Sequence, residues 1–243
     1  MLNILRAPQA LSIAISCAAF AWCVYLLPKS EDIDKFLYLK DQLLRSDVYE
    51  PAQAKLTYDE LESVGLGNCE ADAQTALLLL QLHLAENSLR TGAAAQFDEQ
   101  LNDLTVHVSR ALSCAPRLSY LWLLYFWSQT LSGLLDKRSI EILAMSYETG
   151  PNEGWIAIRR NASAMAVVPL APDQLAKRII KEFGLLVRDG FLREAAASYS
   201  VAAFPVRSAL QTELFRLNNF RQTEFWKAVR ERNPQLVPLG EGN

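Results

Sequence analysis

Histidine and the recurring catalytic motifs are scarce in this 243-residue chain. It has two histidines and four cysteines, and it contains no Walker loop, G-x-G-x-x-G, G-x-S-x-G or C-x-x-C motif. The net charge is only -3, so the chain lacks the basic excess that attracts nucleic-acid phosphates. The sequence therefore predicts no cofactor, no metal ion and no nucleic-acid partner.

Glycine and proline are also few, with 10 of each. This number is far too low for a collagen-like chain, and four cysteines are too few for a disulfide-dense scaffold. Hydrophobic residues make up 51% of the chain and charged residues 21%. The composition predicts a globular protein with a substantial core, organised as one large domain or two small ones.

Residues 10–27 form an uncharged stretch that follows a short N-terminal segment, residues 1–9. A helix of this length covers about 27 Å, close to the roughly 30 Å of a bilayer core. Trp22 and Tyr25 lie near its C-terminal end, where aromatic rings favour the headgroup layer. The pattern predicts a transmembrane helix over residues 10–27 that acts as a signal anchor.

Three alternatives to the anchor are a buried core helix, a cleaved signal peptide and a lipoprotein. Ala19-Phe20-Ala21 has the spacing of a signal-peptidase site, and the residues before Cys17 weakly resemble a lipoprotein box. The apolar run continues through Leu27, which favours an uncleaved anchor.

The orientation of the anchor is less directly encoded. Arg6 precedes the span, whereas Lys29, Lys35 and Lys40 follow it, so the charge count does not favour export of the C-terminal part. A short basic N-terminus ahead of a first span commonly directs export of the domain behind that span. We therefore expect a single-pass protein of the inner (cytoplasmic) membrane with a periplasmic C-terminal domain.

Residues 28–233 show helical periodicity throughout, which predicts an all-α domain. Apolar stripes occur at Phe97, Leu101, Leu104, Val108, Ala111 and Leu112, at Trp155, Ile158, Ala162 and Met165, and at Leu175, Ile179, Phe183 and Leu186. Breaks are predicted at 65–68, 91–92, 116, 133, 150–151, 169–172, 190, 205 and 218–219. The short connections predict antiparallel helical hairpins. Residues 234–243 are expected to form a disordered tail.

Proline and tryptophan recur at a spacing typical of helical repeats. Pro116 is followed by Trp122, Pro151 comes 35 residues after Pro116, and Trp155 comes 33 residues after Trp122. This pattern resembles the tetratricopeptide repeat, whose period is about 34 residues. The resemblance covers about residues 70–190 and implies helix pairs that bind other proteins. Phe126 stands where that repeat has glycine, and a helical bundle without repeats is the alternative.

Cys69 and Cys114 flank two predicted helices of similar length. In an antiparallel hairpin they would lie at the same end, which predicts a disulfide worth about 3 to 4 kcal/mol in the loop-entropy model. Such a bond needs an oxidising compartment. The alternative is that the two cysteines are buried and unpaired. A zinc site that also used His83 and His107 is excluded because those residues would lie far along the two helices.

Positive charge is concentrated toward the C-terminus. Residues 1–155 carry 11 Lys/Arg and 19 Asp/Glu, whereas residues 156–243 carry 13 and 8. The candidate partner surface consists of Arg207, Arg216, Arg221, Lys227, Arg230 and Arg232, which could meet an anionic glycan or an acidic protein surface. The dense aromatics around Trp122 predict that this ring is largely buried.

These observations favour a non-enzymatic, membrane-anchored interaction or scaffold protein of the bacterial cell envelope. By resemblance, such modules assist surface polysaccharide synthesis or export, or secretion and pilus assembly. One alternative is a glycan-active enzyme that uses carboxylates as its acid and base. Another is a tetratricopeptide-type adaptor or chaperone that faces the cytoplasm.

Overall fold

The computed structural model describes residues 6–45, 50–65 and 69–238. In these ranges the chain is helical and has no strand, which confirms the all-α prediction. The chain divides into two compact units, residues 1–100 and 101–243.

Eleven α-helices occur in the described ranges. They are α1 (Arg6–Arg45), α2 (Pro51–Gly65), α3 (Ala71–Thr91), α4 (Ala94–Cys114), α5 (Ser119–Leu131), α6 (Lys137–Thr149), α7 (Gly154–Val167), α8 (Asp173–Asp189), α9 (Leu192–Val201), α10 (Phe204–Leu214) and α11 (Asn219–Arg232).

The predicted breaks coincide with helix ends. Gly92, which ends α3, and Gly190, which ends α8, adopt φ values of 75° and 91°. This left-handed conformation is open to glycine without a steric cost. At the other end of a helix, Asn218 caps α11 by accepting a hydrogen bond from the Arg221 backbone N–H at 2.9 Å.

In the N-terminal unit, α3 packs against both α1 and α2. Its residues from Ala73 to Leu82 are all buried, together with Phe36 and Leu39 of α1. The buried Gln81 amide donates a hydrogen bond to the Tyr58 hydroxyl of α2 at 2.8 Å. Phe36 and Leu39 of α1 are therefore part of a packed core.

Residues 11–25 of α1 have a different environment. All fifteen residues from 11 to 25 are exposed. The larger apolar side chains among them have exposed fractions of 49% to 71%; they are Leu11, Ile13, Ile15, Phe20, Trp22, Val24 and Tyr25. Over the ranges that the structure describes, no helix combines the length and hydropathy required to cross a membrane.

The C-terminal unit pairs α5 with α6, α7 with α9, α9 with α11 and α8 with α10. Phe183, Tyr199, Phe225 and Trp226 form an aromatic core in which ring centroids lie 5.0 to 5.7 Å apart. The stripes predicted for α4 and α8 are buried in full. Large apolar side chains at helical spacing therefore identified the packed faces of these two helices.

Two burial predictions for this unit need correction. Trp122 is half-buried, and its indole N–H donates to the Pro116 carbonyl at 2.7 Å. The ring therefore lies at the edge of the core, while its neighbour Tyr120 is fully buried. The stripe predicted for α7 is confirmed only at Met165, which is buried, because Trp155 is exposed and Ile158 and Ala162 are half-buried.

The end of the described chain also differs from the sequence prediction. Residues 234–236, expected to begin a disordered tail, form a short 3-10 helix. The Asn233 side chain caps it by accepting from the Gln235 backbone N–H at 3.1 Å. Residues 239–243 lie outside the described part.

Candidate functional site

The buried face of α7 carries charge, which explains why apolar periodicity identified only Met165 on that face. Arg160 and Asn161 are both 0% exposed. Beside them are Ile156, Ala157, Ala164 and Met165, which complete the buried face. A buried guanidinium is costly unless it is paired and hydrogen-bonded, so its partners must come from other helices.

The carboxylate of Glu182 on α8 is the principal partner of Arg160. Arg160 Nη2 donates to Glu182 Oε1 at 2.6 Å. The other carboxylate oxygen, Oε2, accepts from the Tyr147 hydroxyl at 2.6 Å and from Asn161 Nδ2 at 3.1 Å. Both oxygens are thus engaged, and the two opposite charges compensate each other in the interior.

Further hydrogen bonds from Nη1 and Nη2 of Arg160 fix the end of α6. Arg160 Nη1 donates to the Ser146 carbonyl at 2.6 Å, and Nη2 also donates to the Gly150 carbonyl at 3.2 Å. The guanidinium carbon lies 3.8 Å from the centroid of the Tyr147 ring, a cation–π contact. Arg160 therefore joins α6, α7 and α8 through one side chain.

Gly150 allows the turn after α6 to approach α5 closely. A β-carbon at this position would collide with the buried Ser119 side chain. The carbonyl of the same residue accepts from Arg160, and this bond ties the turn that contains Pro151 and Asn152 to α7. The backbone beside the buried charge cluster is therefore fixed in position.

Burial raises the pKa of the Tyr147 phenol well above its ordinary value of 10.0, and the neighbouring Glu182 carboxylate adds to the rise. The phenol consequently keeps its proton and donates a hydrogen bond to the carboxylate. The cluster formed by Tyr147, Arg160, Asn161 and Glu182 is hereafter called the buried charge cluster. Its hydrogen bonds join α6, α7 and α8, which is a structural role, while Arg160 Nε and Asn161 Oδ1 are buried without a hydrogen-bond partner among the described residues.

A cleft of about 310 Å³ opens beside this cluster. Glu148 of α6 and Asn152 of the following turn line one side, and Arg178, Lys181 and Leu185 of α8 line the other. Tyr147 and Glu182 also contribute to the lining. The cleft therefore presents both signs of charge around a polar concave surface.

The predicted basic surface does not form one continuous face. On α11, at about 100° per residue, Arg221 and Arg232 lie about 20° apart, whereas Lys227 and Arg230 lie on the far side of the helix. The buried residues Phe225, Trp226 and Val229 lie on an intervening face. The four basic positions of α11 are thus divided between two surfaces.

The two basic residues on α10 and the adjoining turn have different environments. Arg207 is half-buried, with its guanidinium 5.6 Å from the centroid of the Tyr199 ring. Arg216 is exposed and donates to Glu213 at 2.6 Å. Arg216 lies close along the chain to two exposed rings, Phe215 at 68% and Phe220 at 66%.

Cys69 lies in the N-terminal unit and Cys114 in the C-terminal unit. The disulfide between them stays a prediction. An intact-mass measurement before and after reduction and alkylation tests it. Cys17 and Cys23 are exposed and free. Within the described ranges, no group of three or more His, Cys, Asp or Glu side chains could hold a metal ion.

Sequence reasoning missed the buried charge cluster, although one signal for it was present. Glu182 lies inside the apolar stripe of α8, three residues after Ile179 and four residues before Leu186, which is helical spacing from both. A carboxylate on a buried face requires a buried cation or donors. The identity of its partners could not be read from α8 alone.

Comparison with protein-family models, with curated proteins and with solved structures finds no match to this chain.

Proposed function

We propose that the protein is a membrane-anchored helical interaction module. In this proposal residues 10–27 hold the chain in the inner membrane of a bacterial envelope, and the helical hairpins bind envelope proteins. The observation that carries the proposal is the run from Leu11 to Tyr25, in which a regular helix is apolar and exposed on every side.

The stability of this helix depends on the medium that surrounds it. Each fully buried Leu, Ile or Phe side chain contributes about 1.5 to 3 kcal/mol that an exposed one does not. A helix that is apolar all round is stable where its whole circumference is surrounded by apolar groups, and lipid provides that environment. The rings of Trp22 and Tyr25, 6.0 Å apart, suit the boundary between lipid and water.

The buried charge cluster supports a binding role over a carboxylate-based enzyme. Glu182 is the buried carboxylate beside the cleft, and its two oxygens accept three hydrogen bonds. A general acid or base must exchange a proton with substrate, and this carboxylate is committed to Arg160, Tyr147 and Asn161. The tetratricopeptide-like arrangement within about residues 70–190 remains part of the proposal.

The turn between α10 and α11 supplies the contact surface in this proposal. Phe215 and Phe220 expose about two thirds of their surface there, and Arg216 and Arg221 lie beside them. Exposed aromatic rings with neighbouring arginines are the residue types enriched at binding hot spots. An acidic protein surface with apolar patches is the partner chemistry that matches them.

The anchor is tested by placing charge in the middle of the apolar helix. Ala14→Lys with Ala18→Lys should move the protein from the membrane fraction to the soluble fraction, since each central lysine costs about 2.5 to 3.5 kcal/mol of insertion. Leu56→Lys with Leu89→Lys is the matched control, because both leucines are exposed outside that helix. Extraction of the unaltered chain by alkaline carbonate would refute the anchor.

The contact surface is tested by a photo-crosslinking phenylalanine analogue in cells. Placed at Phe220 it should yield a defined protein adduct. Placed at Phe204, which is 85% exposed at the opposite end of α10, it should not. Equal adducts at both positions, or none at Phe220, would remove the α10–α11 turn from the proposal. Protease accessibility of a C-terminal tag establishes the side of the membrane.

A further inference from the structure

Two cations of α8 line the cleft beside the buried charge cluster. Arg178 and Lys181 are exposed and lie three residues apart, which places them on one side of the helix about one turn apart. Within the described residues neither forms an ion pair, whereas Arg160, Arg188 and Arg216 each do. The cleft thus offers two positive charges that are not in an ion pair with a carboxylate of the described chain, although the Glu148 carboxylate lines the same cleft.

The opposite wall provides polar groups of another kind. Glu148 is exposed at the end of α6, and Asn152 lies in the turn that follows it. A carboxylate and an amide can accept and donate hydrogen bonds to hydroxyl groups. Leu185 and Pro151 add small apolar surfaces to the lining. The arrangement separates an anion-attracting wall from a hydroxyl-binding wall.

The two walls are held in place by the buried charge cluster. Glu182 follows Lys181 directly in sequence and is fixed by Arg160, Tyr147 and Asn161. The turn with Pro151 and Asn152 is fixed through the Gly150 carbonyl, which also accepts from Arg160. A site whose supporting residues are already rigid loses less entropy on binding. Arg160 thereby acts as a positioning residue for both walls.

We propose that this cleft binds a small polar molecule that carries one compact anionic group, a carboxylate or a phosphate. Arg178 donates a planar pair of hydrogen bonds to the anion, and Lys181 contributes a second positive charge. Glu148 and Asn152 bind hydroxyl groups on the same molecule. A volume of about 310 Å³ is at the small end of ligand sites and suits a single sugar-sized unit.

Calorimetric titration of the full-length protein in neutral detergent tests the site with three probes: glucuronate, glucose and inorganic phosphate. Glucuronate should bind and glucose should not, because only the former carries a charge for Arg178 and Lys181. Arg178→Gln with Lys181→Gln should weaken glucuronate binding by about tenfold or more, as expected for the loss of charge-assisted hydrogen bonds.

Lys177→Gln with Arg193→Gln is the matched control. It removes the same charge from exposed positions on α8 and α9 that do not line the cleft. The control should bind glucuronate as the unaltered protein does, and both variants should keep their helical circular dichroism. Equal weakening in the two variants would show a general charge effect and overturn the site.

The phosphate titration separates the two sources of the anionic group. Tighter binding of glucuronate than of phosphate assigns the cleft to an acidic sugar, and the reverse order assigns it to a phosphorylated molecule. Absence of binding by both anions at about 10 mM, equivalent to less than about 3 kcal/mol of binding free energy, overturns the proposal. None of these outcomes depends on the membrane anchor or on the α10–α11 contact surface.

Discussion

The arginines of the C-terminal unit occupy two contrasting environments. Arg160 is fully buried and contacts Glu182, Ser146, Gly150 and the Tyr147 ring. Arg178 and Arg216 are exposed, and of these two only Arg216 forms an ion pair within the described residues. Desolvation makes the first charge depend on every partner it has, whereas water solvates the others and leaves them available to a ligand. Burial, and not residue type, therefore separates the arginine that holds helices together from the arginines that we propose as binding residues.

Removal of the buried charge should have the largest effect. Arg160→Ala leaves Glu182 buried without its cation, so we expect a loss of about 3 to 5 kcal/mol in the free energy of unfolding. Denaturant titration followed by circular dichroism measures it. Arg216→Ala, the exposed counterpart, should change the same quantity by less than about 1 kcal/mol. Similar losses of unfolding free energy in the two variants would contradict the distinction between buried and exposed arginines.

The neighbours Tyr120 and Trp122 extend the comparison to aromatic rings. Tyr120 is fully buried, with its ring centroid 5.1 Å from that of Trp155, so Tyr120→Ala should cost about 3 to 5 kcal/mol. Trp122 is half-buried, and Trp122→Ala should cost less than about 3 kcal/mol. The shifts in melting temperature of the two variants show which substitution costs more stability. A larger loss at Trp122 would contradict the burial argument.

Loss of the Tyr147 hydroxyl should have a moderate effect that depends on pH. Tyr147→Phe removes one hydrogen bond to a buried carboxylate, worth about 1.5 to 3 kcal/mol near neutral pH. In the unfolded chain the phenol ionises near its ordinary value of 10.0, while the native phenol stays protonated to higher pH.

The native state of the unaltered protein therefore binds more protons than the unfolded state once the pH rises above about 10. Its free energy of unfolding should fall as the pH rises further, and this contribution should be absent from Tyr147→Phe. Denaturant titrations from about pH 8 to pH 11 test the sign. A stability gap between the two proteins that widens with pH would contradict it.

Reversal of exposed charges should have the smallest effect on stability. Arg216→Glu with Arg221→Glu and Arg230→Glu should change the free energy of unfolding by only about 0.5 kcal/mol per site. The same variant should recover less of the Phe220-crosslinked partner, with a weaker dependence on salt, because long-range attraction has been reversed. Unchanged partner recovery would show that these arginines are only solvated surface charges.

Helix type and helix ends were predictable because their signals are local. Gly92 and Gly190 mark C-termini through a left-handed conformation, and Asn218 marks an N-terminus through a side-chain cap within three residues. The stripe of α8 was predictable for the same reason, since large apolar residues recur along one face.

The face of α7 was not predictable from apolar periodicity. Arg160 and Asn161 occupy its buried face because acceptors from α6 and α8 surround them, and Glu182 lies 22 residues away in sequence. The half-burial of Trp122 likewise depends on how far the surrounding helices extend over the ring. Neither property is encoded within one turn of the residue concerned.

The sequence by itself determined the helical class, the positions of the helix ends and the uncharged stretch that we propose as an anchor. Each depends on spacing, backbone preference or composition within a few residues. Only the tertiary structure decided which charges are buried, which arginines stay exposed, and where a cleft opens between α6 and α8. These outcomes depend on compensation of desolvated charge by partners from distant segments, and such partners meet only when the helices pack.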